Sequence, residues 1–147
     1  MSTDIVISLD VTGSMSPVLN ECRRKVKQTI DTLFDSIDDL RIGLIVHGDY
    51  CDGVLAIQRK DLTTDRKSLI DFINKAQNTN GGDSDECYEA VLAEVNGFSW
   101  QANNRALVLI ADAMPHEIGY RYNSIVVRND WRDEAKKLAE ESFYLCC

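Results

Sequence analysis

The chain has 147 residues, with 24 acidic against 16 basic side chains, a formal charge of −8, 44% hydrophobic and 27% charged residues. That length buries one sizeable core and not two, so a single domain over residues 1–147 is expected, and the composition is that of an ordinary globular protein rather than a disordered or fibrous one. The acidic balance argues against nucleic acid as a partner and for cations, while no apolar run reaches the roughly 18 residues that a membrane span needs.

The first apolar run, residues 5–9, is nearly continuous, as are residues 42–46 and 106–111. Such runs suit parallel strands buried on both faces. Between the first two, Leu19, Cys22, Val26, Ile30, Leu33 and Ile37 recur at helical spacing, with Ser16 as the expected N-cap and Pro17 as the first helical residue. Residues 54–58 follow the turn-rich "HGDYCDG" and, being short and half polar, are expected to pair antiparallel at an edge. Leu69, Ile73 and Ala76 mark a second helix; Tyr88, Val91, Leu92 and Val95 mark a third, ended by Gly97; Trp131, Ala135 and Leu138 mark a fourth. Residues 143–147 complete the strands, and residues 114–129 read as a long irregular loop. The order β, α, β, β, α, α, β, α, β implies an α/β fold: a doubly wound, mainly parallel sheet in three layers, with one antiparallel edge strand and helices on both faces.

In such a sheet, ligands sit beyond the carboxyl ends of the strands. Three loops there are rich in oxygen. "DVTGSMS" offers Asp10, Thr12 and Ser14; "NGGDSDE" offers Asp83 after two glycines; "ADAMPH" places Asp112 at its strand end as Asp10 is at its own. Clustered carboxylates repel unless a cation neutralises them. An all-oxygen set with room for water suits Mg²⁺, or Mn²⁺, and does not suit zinc. Clustered Cys and His at short spacing are lacking, with only His47 and His116 in the chain. Taken as bland residues, Asp85 and Glu86 are first-turn acids that complement a helix dipole, His116 is a loop residue beside the site, His47 a satisfied core histidine, and Asp49 and Asp52 turn formers.

Asp10-x-Thr12-x-Ser14 followed by Met15, "GGDSDE", "LIADAMPH" and "GLIVHGDYCDG" resemble, in order, segments of the von Willebrand factor type A domains, in a subgroup that carries GGD in its second loop. The resemblance covers nearly the whole chain. It implies a VWA-like fold with a metal-ion-dependent adhesion site holding one divalent ion. Thr12 and Ser14 would bind the ion through their hydroxyls, Asp10 and Asp112 largely through waters, and Asp83, or else Glu86, from the second loop. It also implies an open coordination position that a partner protein fills with its own acidic side chain. The chain stops where family members continue with a further helix and often a strand, which would leave residues 143–147 as an apolar edge open to self-association or a subunit contact.

The expected function is therefore a non-enzymatic, metal-dependent protein-binding module. The alternatives are a scaffold subunit with a vestigial metal site and a Mg²⁺-dependent phosphohydrolase. The last wants a second Asp two residues after Asp10, where Thr12 stands. No P-loop, nucleophile elbow or dinucleotide fingerprint is present. With no secretory signal pattern at Met1 and five cysteines, Cys22, Cys51, Cys87, Cys146 and Cys147, read as reduced thiols, a cytoplasmic location is expected.

Overall fold

The computed structural model describes residues 2–140 and, for their backbone, residues 143–146. The apolar runs form β1 (Thr3–Asp10), β2 (Leu40–His47) and β5 (Asn104–Ile110), the half-polar segment forms β3 (Ile57–Thr63), and β9 is Phe143–Cys146. They make a five-stranded sheet in the order β3-β2-β1-β5-β9. β1 pairs parallel with β2 and β5, β5 parallel with β9, and β3 antiparallel with β2. The expected parallel sheet with one antiparallel edge strand is thus observed, and β9 is its other edge. Cys147 and the side chains of the β9 residues lie outside the described residues.

Alternation along the strands divides the core. Ile5, Ile7 and Leu9 of β1, with Ile42, Leu44 and Val46 of β2, pack against α1 (Leu19–Ser36) and α2 (Arg66–Lys75). Val6, Ile45 and Leu107 point the opposite way, toward α3 (Tyr88–Asn96) and α4 (Trp131–Glu140). Because successive strand residues face opposite sides, one continuous apolar run serves both layers.

Two local expectations change. α1 begins at Leu19, not at Pro17, because a 3-10 turn over Gly13–Met15 comes first. Its i→i+3 bonds, Ser16 N to Gly13 O and Val18 N to Met15 O, carry the chain from the first loop into the helix, so Ser16 closes that turn instead of capping α1. The irregular stretch after β5 also contains regular pairing. β6 (Met114–Pro115) lies parallel to β4 (Asp85–Glu86), and β7 (Arg121–Tyr122) and β8 (Ile125–Val126) form a small hairpin. Gly97 does end α3, with an ordinary negative φ of −91°.

After β1 the chain moves to β2 on one side, and later returns as β5 on the other. Strand order therefore reverses at β1, and the carboxyl ends of β1 and β5 frame the crevice where ligands bind in such sheets.

Candidate functional site

Asp10 closes β1 and is fully buried. Its Oδ1 accepts from the Thr12 backbone N–H at 2.8 Å and from the Thr12 hydroxyl at 2.6 Å, the short side-chain-to-backbone closure typical of Asp in turns. Its Oδ2 accepts from the Tyr88 hydroxyl of α3. The Thr12 and Ser14 hydroxyl oxygens are 3.2 Å apart, and the Ser14 hydroxyl donates to Asp112 Oδ1 at 2.9 Å. Asp10, Thr12, Ser14 and Asp112 are thereby joined in one chain of oxygens. It runs from the buried end of β1 to an exposed rim at Ser14 and Asp112.

The second loop is tied to the first by backbone. Gly13 N donates to Asn80 O at 3.2 Å and Thr79 N to Val11 O at 3.0 Å. A Cβ at Gly13 would sit 2.9 Å from Asn80 O, so this approach needs glycine. Gly81 turns with φ +72°, and Glu86 Oε1 lies only 2.8 Å from where its Cβ would be, with Thr12 Cβ at 3.4 Å. Glu86, not Asp83, is accordingly the second-loop acid that stands beside Thr12. It is 4% exposed and its Oε2 has no hydrogen-bond partner. Burial first, then the charges of Asp10 and Asp49, push its pKa up to about 8, partly offset by the Thr12 hydroxyl. Among the described residues, no Lys or Arg ion pair reaches Asp10, Glu86 or Asp112.

Asp83 faces elsewhere. Its Oδ2 accepts from the Tyr120 hydroxyl at 2.7 Å and its Oδ1 from Asp85 N at 3.0 Å. Burial opposes its ionisation, but these bonds and the neighbouring His116 outweigh it and hold the pKa below 3.8. One donor atom each of Asp83, Asp49 and His116 lies within 4.8 Å of the others.

Several residues of the site carry signals that the sequence showed only faintly. Asp49 and His116, read as a turn former and a loop residue, are both buried and paired, His116 Nε2 to Asp49 Oδ1 at 2.8 Å. Both follow strand ends on the edge that carries Asp10, which was the available clue. Tyr88 looked like one of several apolar residues of α3; only its hydroxyl shows its role. Buried Glu89 holds the Tyr50 hydroxyl and accepts from His116 N at 3.1 Å, with its pKa raised by burial. His47 pairs its Nδ1 with Ser8 Oγ at 3.0 Å, but its Nε2 is buried without a partner. Burial lowers its pKa to about 4 against the pull of Asp10, so the ring is neutral.

No protein-family model matches the chain. Among curated proteins it is similar to a putative ariadne-like RING finger protein of Acanthamoeba polyphaga mimivirus, 29% identical over 113 residues, 77% of this chain and 11% of that protein. Among solved structures it is similar to the pilus adhesin SpaC of Lactobacillus rhamnosus GG in its open conformation, with TM-score 0.71 and 15% identity over 98% of this chain and 23% of that one. A second SpaC structure gives TM-score 0.73 at 14% identity. The type V pili tip protein Mfa5 of Porphyromonas gingivalis gives TM-score 0.65 at 15% identity, covering 84% of this chain and 22% of that one. The chain thus spans about a tenth of the curated relative and under a quarter of each structural neighbour. At these identities the structural likeness defines the class of protein by its fold alone, a mixed α/β domain.

Proposed function

We propose that the chain is a VWA-like domain whose loop edge holds one Mg²⁺ or Mn²⁺ ion and binds a partner protein, with an acidic side chain of the partner completing the coordination. The observation that carries this reading is the hydrogen-bonded series Asp10, Thr12, Ser14 and Asp112 at the carboxyl ends of β1 and β5. The donors fit such an ion: hydroxyl and carboxylate oxygens alone, with an orphaned buried oxygen on Glu86 beside them and, among the described residues, no Lys or Arg ion pair to balance the charge. Hard divalent cations take oxygen ligands of this type. Thr12 and Ser14 would supply hydroxyls, Asp10 and Asp112 would orient them and hold waters, and Glu86 would be the second-loop carboxylate in preference to Asp83. Exposure of Ser14 and Asp112 leaves an approach for a partner.

A binding role fits better than phosphoryl chemistry. Both oxygens of Asp10 are engaged by donors, Thr12 on one and Tyr88 on the other, which suits an orienting carboxylate more than a nucleophile. Cys22, Cys51 and Cys87 are free thiols, in keeping with work in a reducing compartment. Among the described residues, no helix is long and apolar enough to cross a membrane.

The test is calorimetric titration of Mg²⁺ and Mn²⁺ into chelator-treated protein, alone and with an acidic peptide present, for wild type and for folded Asp10→Ala and Asp112→Ala variants. Saturable binding that both variants lose is expected. Folded wild-type protein that takes up neither ion at millimolar concentration, with or without the peptide, would overturn the reading and leave a scaffold indifferent to chelator.

A further inference from the structure

We propose that Asp49, Asp83 and His116 form a second, separate cation site that takes a borderline transition metal of the Zn²⁺ or Co²⁺ class rather than Mg²⁺. The three side chains come from loops after β2, before β4 and after β6, with Asp49 and His116 67 positions apart, so no short-spaced motif announces them. Each offers one donor atom, and these atoms lie within 4.8 Å of one another. In a tetrahedral zinc shell the donors would stand about 3–3.5 Å apart, so small side-chain rotations close the set, and the His116 and Asp49 donors are already 2.8 Å apart.

An ion pair between His116 and Asp49 would account for one carboxylate oxygen of Asp49 and no more. Its other oxygen, Oδ2, belongs to a residue with no exposed surface and has no hydrogen-bond partner. A buried carboxylate oxygen left unpaired is costly, and it calls for a ligand. That oxygen faces the second loop at Gly82, next to Asp83: a Cβ on Gly82 would come within 3.1 Å of Asp49 Oδ2 and 3.0 Å of Cys51 Sγ. A side chain at this position would therefore crowd that oxygen.

The surroundings orient the donors. The His116 ring stacks on Tyr120, with centroids 3.7 Å apart and planes 18° apart, and Tyr50 flanks it at 5.6 Å. The Tyr120 hydroxyl in turn donates to Asp83 Oδ2, and the His116 backbone N–H donates to Glu89 and so fixes the chain at this residue. Hydrogen-bonded partners of this kind fix ligand geometry in metal sites. Two carboxylates balance a dication, and the imidazole sets the preference: it suits Zn²⁺ and Co²⁺, whereas Mg²⁺ keeps to oxygen. Ion preference thus separates this site from the all-oxygen one, and its donor set does not depend on that reading.

The experiment holds the protein in saturating Mg²⁺ and titrates Co²⁺, followed by visible absorption, with Zn²⁺ as competitor. One equivalent of Co²⁺, displaced by Zn²⁺, is expected. Asp83 is exposed, so Asp83→Asn is the variant that keeps the fold; it and a folded His116→Gln should weaken the site about tenfold or more. Asp112→Ala should lose Mg²⁺ while keeping Co²⁺, so failure of one site is read apart from failure of the other. No Co²⁺ or Zn²⁺ uptake in the presence of Mg²⁺, or equal affinity in folded Asp83→Asn, would overturn the proposal.

Discussion

β1 begins and ends its buried run with an aspartate, and the two are compensated in opposite ways. Asp4, 1% exposed, meets the Arg41 guanidinium through both oxygens, Nε to Oδ1 at 2.9 Å and Nη2 to Oδ2 at 2.6 Å, and accepts from Gln101 N at 2.8 Å and Ala102 N at 2.9 Å. Asp10, equally buried, has only the Thr12 amide and hydroxyl and the Tyr88 phenol, with Glu86 and Asp112 as further acids nearby. One end of the strand is neutralised by the chain itself. The other has no such partner among the described residues, and on the proposed reading a bound cation balances its charge.

The largest effect is expected at the self-sufficient end. Removing one partner of a buried ion pair strands the other, so Asp4→Ala should cost about 3 kcal/mol in urea unfolding, toward the lower limit for buried pairs because Arg41 keeps some solvent and the Ser99 carbonyl. Mg²⁺ affinity of the folded variant should not change; a matching loss of affinity would show that the two ends are not independent. Burial pushes the Asp4 carboxyl up, but Arg41 and the Ala102 and Gln101 N–H groups outweigh it and hold the pKa below 3.8. A depressed folded value means that this stability is present above 3.8 and is lost as the pH falls through the folded value. Asp4→Asn should flatten that acid limb, and identical urea midpoints across the limb for variant and wild type would refute the assignment.

At the other end the change should be invisible until metal is added. Ligand at a hundred times its dissociation constant stabilises a fold by about 2.7 kcal/mol. Asp10→Asn retains an oxygen for the Thr12 donors, so its stability in chelator should stay within about 1 kcal/mol of wild type, while the gain on adding saturating Mg²⁺ should vanish. A variant that still gains as the wild type does would remove Asp10 from the site.

Glu86 sharpens the contrast because its effect should change sign. With a folded pKa near 8 against an ordinary 4.5, it binds a proton at neutral pH that the unfolded chain gives up. A raised folded value means that this site subtracts stability progressively as the pH rises from 4.5 toward 8. In chelator at pH 7, Glu86→Gln should therefore stabilise the protein by about 1–2 kcal/mol. In Mg²⁺ it should bind the ion more weakly than wild type. Destabilisation in chelator would mean that Glu86 is structurally satisfied and not part of the metal edge.

These contrasts follow lines that the sequence showed unevenly. The strands and helices were legible because "DIVISLD", "IGLIV" and "ALVLIA" are apolar beyond any alternation and the helical stripes are regular. Asp10, Thr12, Ser14 and Asp112 were legible because strand ends locate them. The placement of Glu86 beside Thr12, with Asp83 turned to Tyr120, was not, since it depends on the backbone path through Gly81 and on the pairing of Asp85–Glu86 with Met114–Pro115, neither of which spacing encodes. Nor was the Asp4–Arg41 pair, which rests on the parallel register that sets Asp4 beside Arg41. Tertiary register decides such contacts, and local pattern carries no trace of it.

The smallest effect is expected from Tyr88→Phe, and it separates the two aspartates most finely. The ring is buried in the core and packs edge-on against His47 at 5.1 Å, so phenylalanine keeps the packing. What leaves is a hydroxyl that donates to Asp10 Oδ2 and accepts from Ala113 N at 3.2 Å. A lost buried hydrogen bond costs about 1 kcal/mol, and urea unfolding should show that much in chelator and a larger loss in Mg²⁺. Asp10 also loses the group that fixes its second oxygen, and partners of this kind are worth about tenfold in metal affinity. Taking a donor from Asp4 should register in stability alone. Taking one from Asp10 should register in the Mg²⁺ titration as well, and a Tyr88→Phe variant with wild-type affinity would mean that Thr12 by itself holds the carboxylate in place.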